Sequence, residues 1–232
     1  MGPADRSLTM PLDISRIRAL CFDVDGTLSD TDDLYVRKVA RYLHPFRFLL
    51  PGRDAARLAR RLVMYAETPG NALYAFADRL NLDDLLYKIY SRRSQKALGE
   101  AEFLLVPGVR PMLEAAAARY PLAVVSARGE YTTLQFLEQY DLSGYFRAIA
   151  TAHTCRRTKP SPDPLLWAAA QLGIPPENCV MVGDTTVDIR TGKAAGAQTI
   201  GVLCGFGERT ELERAGADVI LESTAEVASL LG

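Results

Sequence analysis

From about Ile17 onward, short apolar runs alternate with stretches of helical periodicity. Ala19-Leu20-Cys21-Phe22, Leu122-Ala123-Val124-Val125 and Cys179-Val180-Met181-Val182 each stop at a polar residue or a glycine. Weaker runs follow at Phe146–Thr151, Thr199–Cys204 and Asp218–Leu221. Helical patterns fall between the later runs, at Tyr131–Tyr140, Pro164–Leu172 and Ile189–Ala195. Strands separated by helices predict a mostly parallel sheet covered on both faces, an α/β core of three layers.

Residues 32–105 break this alternation. Tyr35, Val39, Tyr42 and Phe46 recur at helical spacing, as do Leu58, Leu62 and Tyr65, and then Leu85, Leu86 and Ile89. Pro51-Gly52, Thr68-Pro69-Gly70 and Asn81 punctuate them. An all-helical segment inserted after the first strand predicts a separate α-helical cap, and Pro107-Gly108 marks the return to the core. The predicted division is an N-terminal tail at 1–16, an α/β core from 17–31 and 106–232, and a cap at 32–105.

Composition narrows the function classes. A chain of 232 residues with 48% hydrophobic and 24% charged residues can bury a core without a disulfide or metal staple. Net charge is −1, which gives no general electrostatic attraction to nucleic acid or an anionic membrane. No stretch reaches the roughly 18–20 apolar residues of a membrane span, and the N-terminal residues lack the apolar core of a signal peptide, so a cytoplasmic protein is expected. Cys21, Cys155, Cys179 and Cys204 form no CxxC pair, and His44 and His153 are the only histidines, so a Cys/His zinc site has no support. Residues 31–105 carry 13 Lys and Arg against 9 Asp and Glu, so a mildly basic insertion sits in an otherwise acidic chain. That balance suits an anionic substrate bound beside a metal, and equally an ordinary solvated helical surface.

Four short segments carry chemistry. Asp23-Val24-Asp25-Gly26-Thr27-Leu28 follows the first apolar run directly. Two carboxylates two residues apart at a strand's end point the same way while the strand lasts, and so close together they need a cation, a proton or a hydrogen bond. Ser126 closes the second strong run, where a hydroxyl and the next amide N–H can hold an anion. Lys159 stands in the proline-stiffened stretch Thr158-Lys159-Pro160-Ser161-Pro162-Asp163; a lone lysine of this kind is usually solvated. Gly183-Asp184-Thr185-Thr186-Val187-Asp188 follows the third strong run. Its aspartates can converge on one cation, or Asp184 or Thr185 can cap a helix with Asp188 in the first turn.

Together, in this order and spacing, the four segments resemble the motifs of the haloacid dehalogenase-like hydrolase superfamily: DxDGT, a Ser or Thr after a strand, a Lys, and GDxxxD. The resemblance covers nearly the whole chain after the tail and implies a Rossmann-like core. The insertion after the first motif is similar to the small α-helical cap of the phosphoglycolate phosphatase-like branch. The 33 positions between Ser126 and Lys159 are too few for the larger cap other branches insert there. The resemblance implies that Asp23 is a nucleophile forming an aspartyl phosphate and that Asp25 is a general acid and base. It also implies that Ser126, the Ala127 N–H and Lys159 hold the phosphoryl oxygens. Mg²⁺ is implied on Asp23, the Asp25 backbone carbonyl and Asp184, with Asp188 as a direct or water-mediated ligand.

Departures sort the relatives. Dehalogenases and phosphonoacetaldehyde hydrolases lack the second aspartate of the first motif, whereas Asp25 is present here. Mutase-like members tend to place a histidine in the first cap helix where this chain has Tyr35, and a basic residue near Glu67–Asn71, which has none. The expected activity is therefore a Mg²⁺-dependent phosphatase acting on a small phosphorylated metabolite, as a monomer or homodimer, without nucleic acid or membrane partners. Alternatives are a phosphosugar mutase or pyrophosphatase of the same superfamily and, from another class, a phospho-aspartate receiver domain.

Overall fold

The computed structural model describes residues 12–30 and 103–232. The chain divides into two compact units, residues 1–30 with 105–232, and residues 31–104. All but residues 103–105 of the expected helical cap, including Tyr35 and the segment 67–71, lies outside the described residues, as does most of the expected tail.

The strands are β1 (Ala19–Phe22), β2 (Leu122–Val125), β3 (Phe146–Ala150), β4 (Cys179–Gly183), β5 (Gln198–Val202) and β6 (Val219–Leu221). They form one sheet in the order β3-β2-β1-β4-β5-β6, with every neighbouring pair parallel. Each apolar run of the sequence is thus a strand. All residues of β1, β2 and β4 are buried, which requires cover on both faces and explains their unbroken apolar character.

The helices are α1 (Val109–Ala117), α2 (Glu130–Gln139), α3 (Asp163–Leu172), α4 (Thr186–Ala195), α5 (Arg209–Ala215) and α6 (Val227–Leu230). One face of the sheet presents Ala19, Cys21, Ala123, Val125 and Met181 to Leu165, Ala168 and Ala169 of α3 and to Ala195 of α4. Alanines on both sides let helix and sheet approach closely. On the alternate positions, Phe22 and Phe146 meet edge to face with centroids 6.5 Å apart. Helix α1 was not foreseen, although Val109, Met112, Leu113 and Ala116 recur at i, i+3, i+4 and i+7 and are its buried residues. Cys21 and Cys179 are buried free thiols, while Cys155 and Cys204 are only partly buried. Among the described residues, no helix is long and apolar enough to cross a membrane.

The strand order positions the site. From β1 the chain builds outward through β2 and β3, then crosses back to lay β4 on the other side of β1. Connections therefore diverge between β1 and β4, and open α/β sheets bind ligands at the carboxyl ends of such strands.

Candidate active site

All four chemical segments leave the carboxyl ends of strands or precede a helix at that edge. Asp23 follows β1 and donates its N–H to Val182 O at 2.9 Å, extending the ladder one residue past the strand. The strand pattern stops there. Leu28 and Ser29 both donate to Val24 O (2.9 and 2.8 Å), folding Asp25 into a tight turn. Asp23 and Asp25 therefore do not share a continued strand face: Asp23 is buried, whereas Asp25 is half-exposed.

Asp23, Asp184 and Asp188 converge, with one carboxylate oxygen of each within 4.8 Å of the others, and all three are buried. Lys159 Nζ stands 2.7 Å from Asp23 Oδ1 and 2.6 Å from Asp188 Oδ1. The lysine itself is buried, so it is not the solvated side chain that its proline-rich neighbourhood allowed. Asp188 divides its oxygens. Oδ1 accepts from Lys159, and Oδ2 accepts from the Thr185 N–H at 3.0 Å and hydroxyl at 2.7 Å. Thr185 is the N-cap of α4, so the capping and charge-clustering readings of this segment are both realised, by one carboxylate.

Asp184 is held differently. Its Oδ2 accepts from the Phe206 N–H at 2.8 Å, and Oδ1 faces the Thr27 hydroxyl at 3.5 Å. Two glycines make room for it. Gly26 has φ +72°, and a Cβ there would stand 2.3 Å from Asp184 Oδ2; a Cβ at Gly205 would stand 2.1 Å from the same oxygen. Behind this turn, the Thr224 hydroxyl donates to Thr27 O at 2.7 Å, and the Cys204 thiol donates to Gly26 O at 3.4 Å.

Ser126 is buried, its N–H donates to Ala150 O at 2.9 Å, and its Oγ accepts from the Arg128 N–H at 3.2 Å, leaving the hydroxyl proton to donate. Ala127 lies between them in the same turn. Arg128 Nη1 stands 3.4 Å from Asp25 Oδ1.

Charge dominates the cluster. Burial is the largest influence on Asp23 and drives its carboxyl up to about 7; Lys159 opposes this, while Asp188 and Asp25 add to it. Burial likewise pushes Asp184 well above the carboxylate range, reinforced by Asp188 and Asp23 and opposed by the Phe206 N–H. Burial alone would lower Lys159, but the Asp188 and Asp23 carboxylates outweigh it and hold the ammonium charged. Three buried carboxylates around one ammonium leave excess negative charge, which a bound cation would neutralise. The donors are all oxygens, the set that suits a hard cation such as Mg²⁺.

The structure thus brings Asp23, Lys159, Asp184 and Asp188 into one network, with Asp25 tied to the Ser126 turn through Arg128. Sequence reasoning missed Arg128, Thr224 and the Gly205-Phe206 turn, and gave Thr27 no role beyond its place in the first segment. The one available signal was the paired glycines of Cys204-Gly205-Phe206-Gly207 after a strand, a pattern that marks close backbone approach.

Comparison with known proteins identifies the family. The phosphoglycolate phosphatase of Shigella boydii is 28% identical over 235 residues, covering 93% of each chain. Pyrophosphatase PpaX of Anoxybacillus flavithermus is 27% identical over 218 residues, covering 93% of this chain and 97% of its own. A haloacid dehalogenase-like family protein from Streptococcus pneumoniae superimposes with a TM-score of 0.67 at 24% identity, over 94% of this chain and all of that one, which shows a shared fold. The sequence profile of the haloacid dehalogenase-like hydrolases matches residues 20–202, the span that holds all four segments. With those segments assembled at one edge of the sheet, the chain belongs to the haloacid dehalogenase-like hydrolase family.

Proposed function

We propose that the protein is a Mg²⁺-dependent phosphatase of a small soluble phosphomonoester, similar to phosphoglycolate phosphatases, working through a phosphorylated Asp23. The observation that carries this reading is the buried ammonium of Lys159 set between Asp23 and Asp188, with Asp184 alongside. A carboxylate nucleophile must approach a phosphate dianion, and a fixed positive charge at its side lowers that repulsion.

Asp23, the Asp25 carbonyl and Asp184 would hold Mg²⁺, with Asp188 behind them. When bound, the ion supplies charge neutralisation for the nucleophile and the transferring oxygens. Asp23 contributes the carboxylate oxygen that bonds to phosphorus as the ester P–O bond breaks. Asp25 gives its proton to the departing oxygen, then takes one from the water that attacks the aspartyl phosphate, releasing inorganic phosphate and restoring Asp23. Lys159, the Ser126 hydroxyl and the Ala127 N–H bind the phosphoryl oxygens. Asp188 acts through Lys159, because its oxygens already serve that ammonium and the start of α4.

The test is a phosphate-release screen with Mg²⁺ across 2-phosphoglycolate, sugar phosphates, nucleoside monophosphates and inorganic pyrophosphate. Turnover of one or more monoesters, abolished by EDTA, is expected. Turnover of pyrophosphate alone would move the assignment to pyrophosphatase. Conversion of a sugar phosphate to its isomer without phosphate release would move it to mutase. A phospho-enzyme that persists without turnover would point to a receiver.

A further inference from the structure

Two successive carbonyls of the turn after β1 are held by side chains that follow β5 and β6. Thr27 O accepts from the Thr224 hydroxyl at 2.7 Å, and Gly26 O accepts from the Cys204 thiol at 3.4 Å. The two side chains also touch each other, Cys204 Sγ to Thr224 Oγ1 at 3.3 Å. Thr224 is fully buried and opens a short helical turn, Thr224–Glu226. That turn is itself anchored. Ser223 Oγ caps it by accepting from the Ala225 N–H at 3.2 Å, and a Cβ at Gly108 would stand 2.8 Å from the Ala225 methyl.

Both arms that hold Asp184 meet at the Thr224 hydroxyl. On one side, Thr27, whose carbonyl Thr224 binds, faces Asp184 Oδ1 with its own hydroxyl at 3.5 Å. On the other, Cys204, which Thr224 touches, leads directly into Gly205 and Phe206, and the Phe206 N–H donates to Asp184 Oδ2 at 2.8 Å. Gly205 is wedged between the arms: a Cβ on it would stand 2.1 Å from Asp184 Oδ2 and 2.6 Å from Gly26 O. With so little slack, a change in the spacing of turn and loop moves the carboxylate.

Resting on the Mg²⁺-dependent phosphatase reading above, we infer that Thr224 is a positioning residue for Asp184. It spaces the Gly26–Thr27 turn against the Cys204–Phe206 loop, so that the carboxylate is set before a cation arrives. Without this hydroxyl, the turn loses the bond that fixes Thr27 O, and Asp184 gains freedom that Mg²⁺ must remove on binding. That cost falls on metal affinity, whereas a merely structural threonine affects folding alone.

The test titrates metal-free protein with Mg²⁺ by isothermal calorimetry, without substrate, for the parent, Thr224→Val, Thr224→Ser and Leu137→Val. Leu137 is buried in α2 and reports what lost packing does by itself. Thr224→Val should raise the Mg²⁺ dissociation constant about tenfold, the lower end of what losing an outer partner of a metal ligand costs. Thr224→Ser restores the hydroxyl and should stay within about threefold of the parent, as should Leu137→Val. Parent-like affinity in Thr224→Val, the same loss in Thr224→Ser, or the same loss in Leu137→Val overturns the positioning role. Should Thr224→Val not fold, Cys204→Ala decides, because it removes the other donor and leaves Thr224 in place. It should weaken Mg²⁺ binding at least about threefold, with Cys204→Ser recovering part of the loss, since a hydroxyl can replace the weak thiol donor. Parent-like affinity in Cys204→Ala overturns the role in that case. Absence of Mg²⁺ binding by the parent instead overturns the metal-dependent reading, and this inference with it.

Discussion

Lys159 sets its ammonium 2.7 Å from Asp23 Oδ1 although the two residues leave different strands. The same ammonium is 2.6 Å from Asp188, so one buried cation couples the end of β1 to the start of α4. Removing it leaves buried carboxylates facing one another, and breaking a buried pair from one side costs about 3–5 kcal/mol. Lys159→Met should therefore lower the melting temperature in metal-free buffer at pH 8, recover part of it with Mg²⁺, and lose activity. An unchanged melting temperature would mean that the charges are not coupled as described.

The roles of Asp23 and Asp25 separate by mass spectrometry. Asp23→Asn should show no phosphate adduct after mixing with a small acyl phosphate and Mg²⁺. Asp25→Asn keeps the nucleophile but lacks the base for hydrolysis, so adduct should accumulate on residue 23. Its turnover of alkyl phosphates should fall by roughly 10²–10⁴-fold. An adduct on Asp23→Asn would sink the assignment of the nucleophile.

The metal-free protein should lose stability as pH rises toward neutrality. Burial raises Asp23 in the folded state to about 7 from the ordinary carboxylate value of 3.8, and Asp184 moves in the same direction. A carboxyl raised on folding contributes its stability below the unfolded value and loses it as pH climbs through the folded one. Lys159 is raised from 10.5, so it stays charged throughout this window. Melting temperature in EDTA should fall between pH 5 and 8, and Mg²⁺ should restore it increasingly at the upper end, where it need not displace protons. A flat profile in EDTA would show that these carboxyls titrate normally.

Gly205→Ala should damage metal binding more than folding. Its new Cβ would stand 2.1 Å from Asp184 Oδ2, forcing that carboxylate off the Phe206 N–H. Half-maximal activity should then need at least about tenfold more Mg²⁺, the size of loss typical when a ligand's support is removed. Isothermal titration with Mg²⁺ measures it directly, and parent-like affinity would refute the close approach.

Thr224→Val tests the buttress behind the Asp25–Thr27 turn. Both Thr224 and Thr27 are buried, and the lost donor leaves Thr27 O without the 2.7 Å bond from that hydroxyl. An orphaned buried carbonyl costs about 1–3 kcal/mol, readable by denaturant titration. A smaller change would show that water reaches this carbonyl.

The division between what the sequence determined and what only the folded chain decided follows from the range of the forces involved. Apolar runs such as Cys179–Val182 are strands because every residue in them is buried, a property written locally in residue type. Asp23, Asp25, Asp184 and Asp188 were legible because they sit at fixed distances from those strand ends, where a parallel sheet brings carboxyl termini together. The strand order was not local: β4 lies beside β1 because the chain crosses back after β3, and no residue near Cys179 encodes that neighbour by itself. Lys159 shows the limit most clearly. In the chain it is a lysine among prolines, whereas in the fold it is a buried ammonium shared by two carboxylates 136 and 29 positions away. Arg128 on Asp25 and the Phe206 N–H on Asp184 are likewise decided by tertiary structure, since each is a contact between loops that leave different strands. Side-chain type and spacing state which charges exist, and the packing of the sheet decides which of them meet.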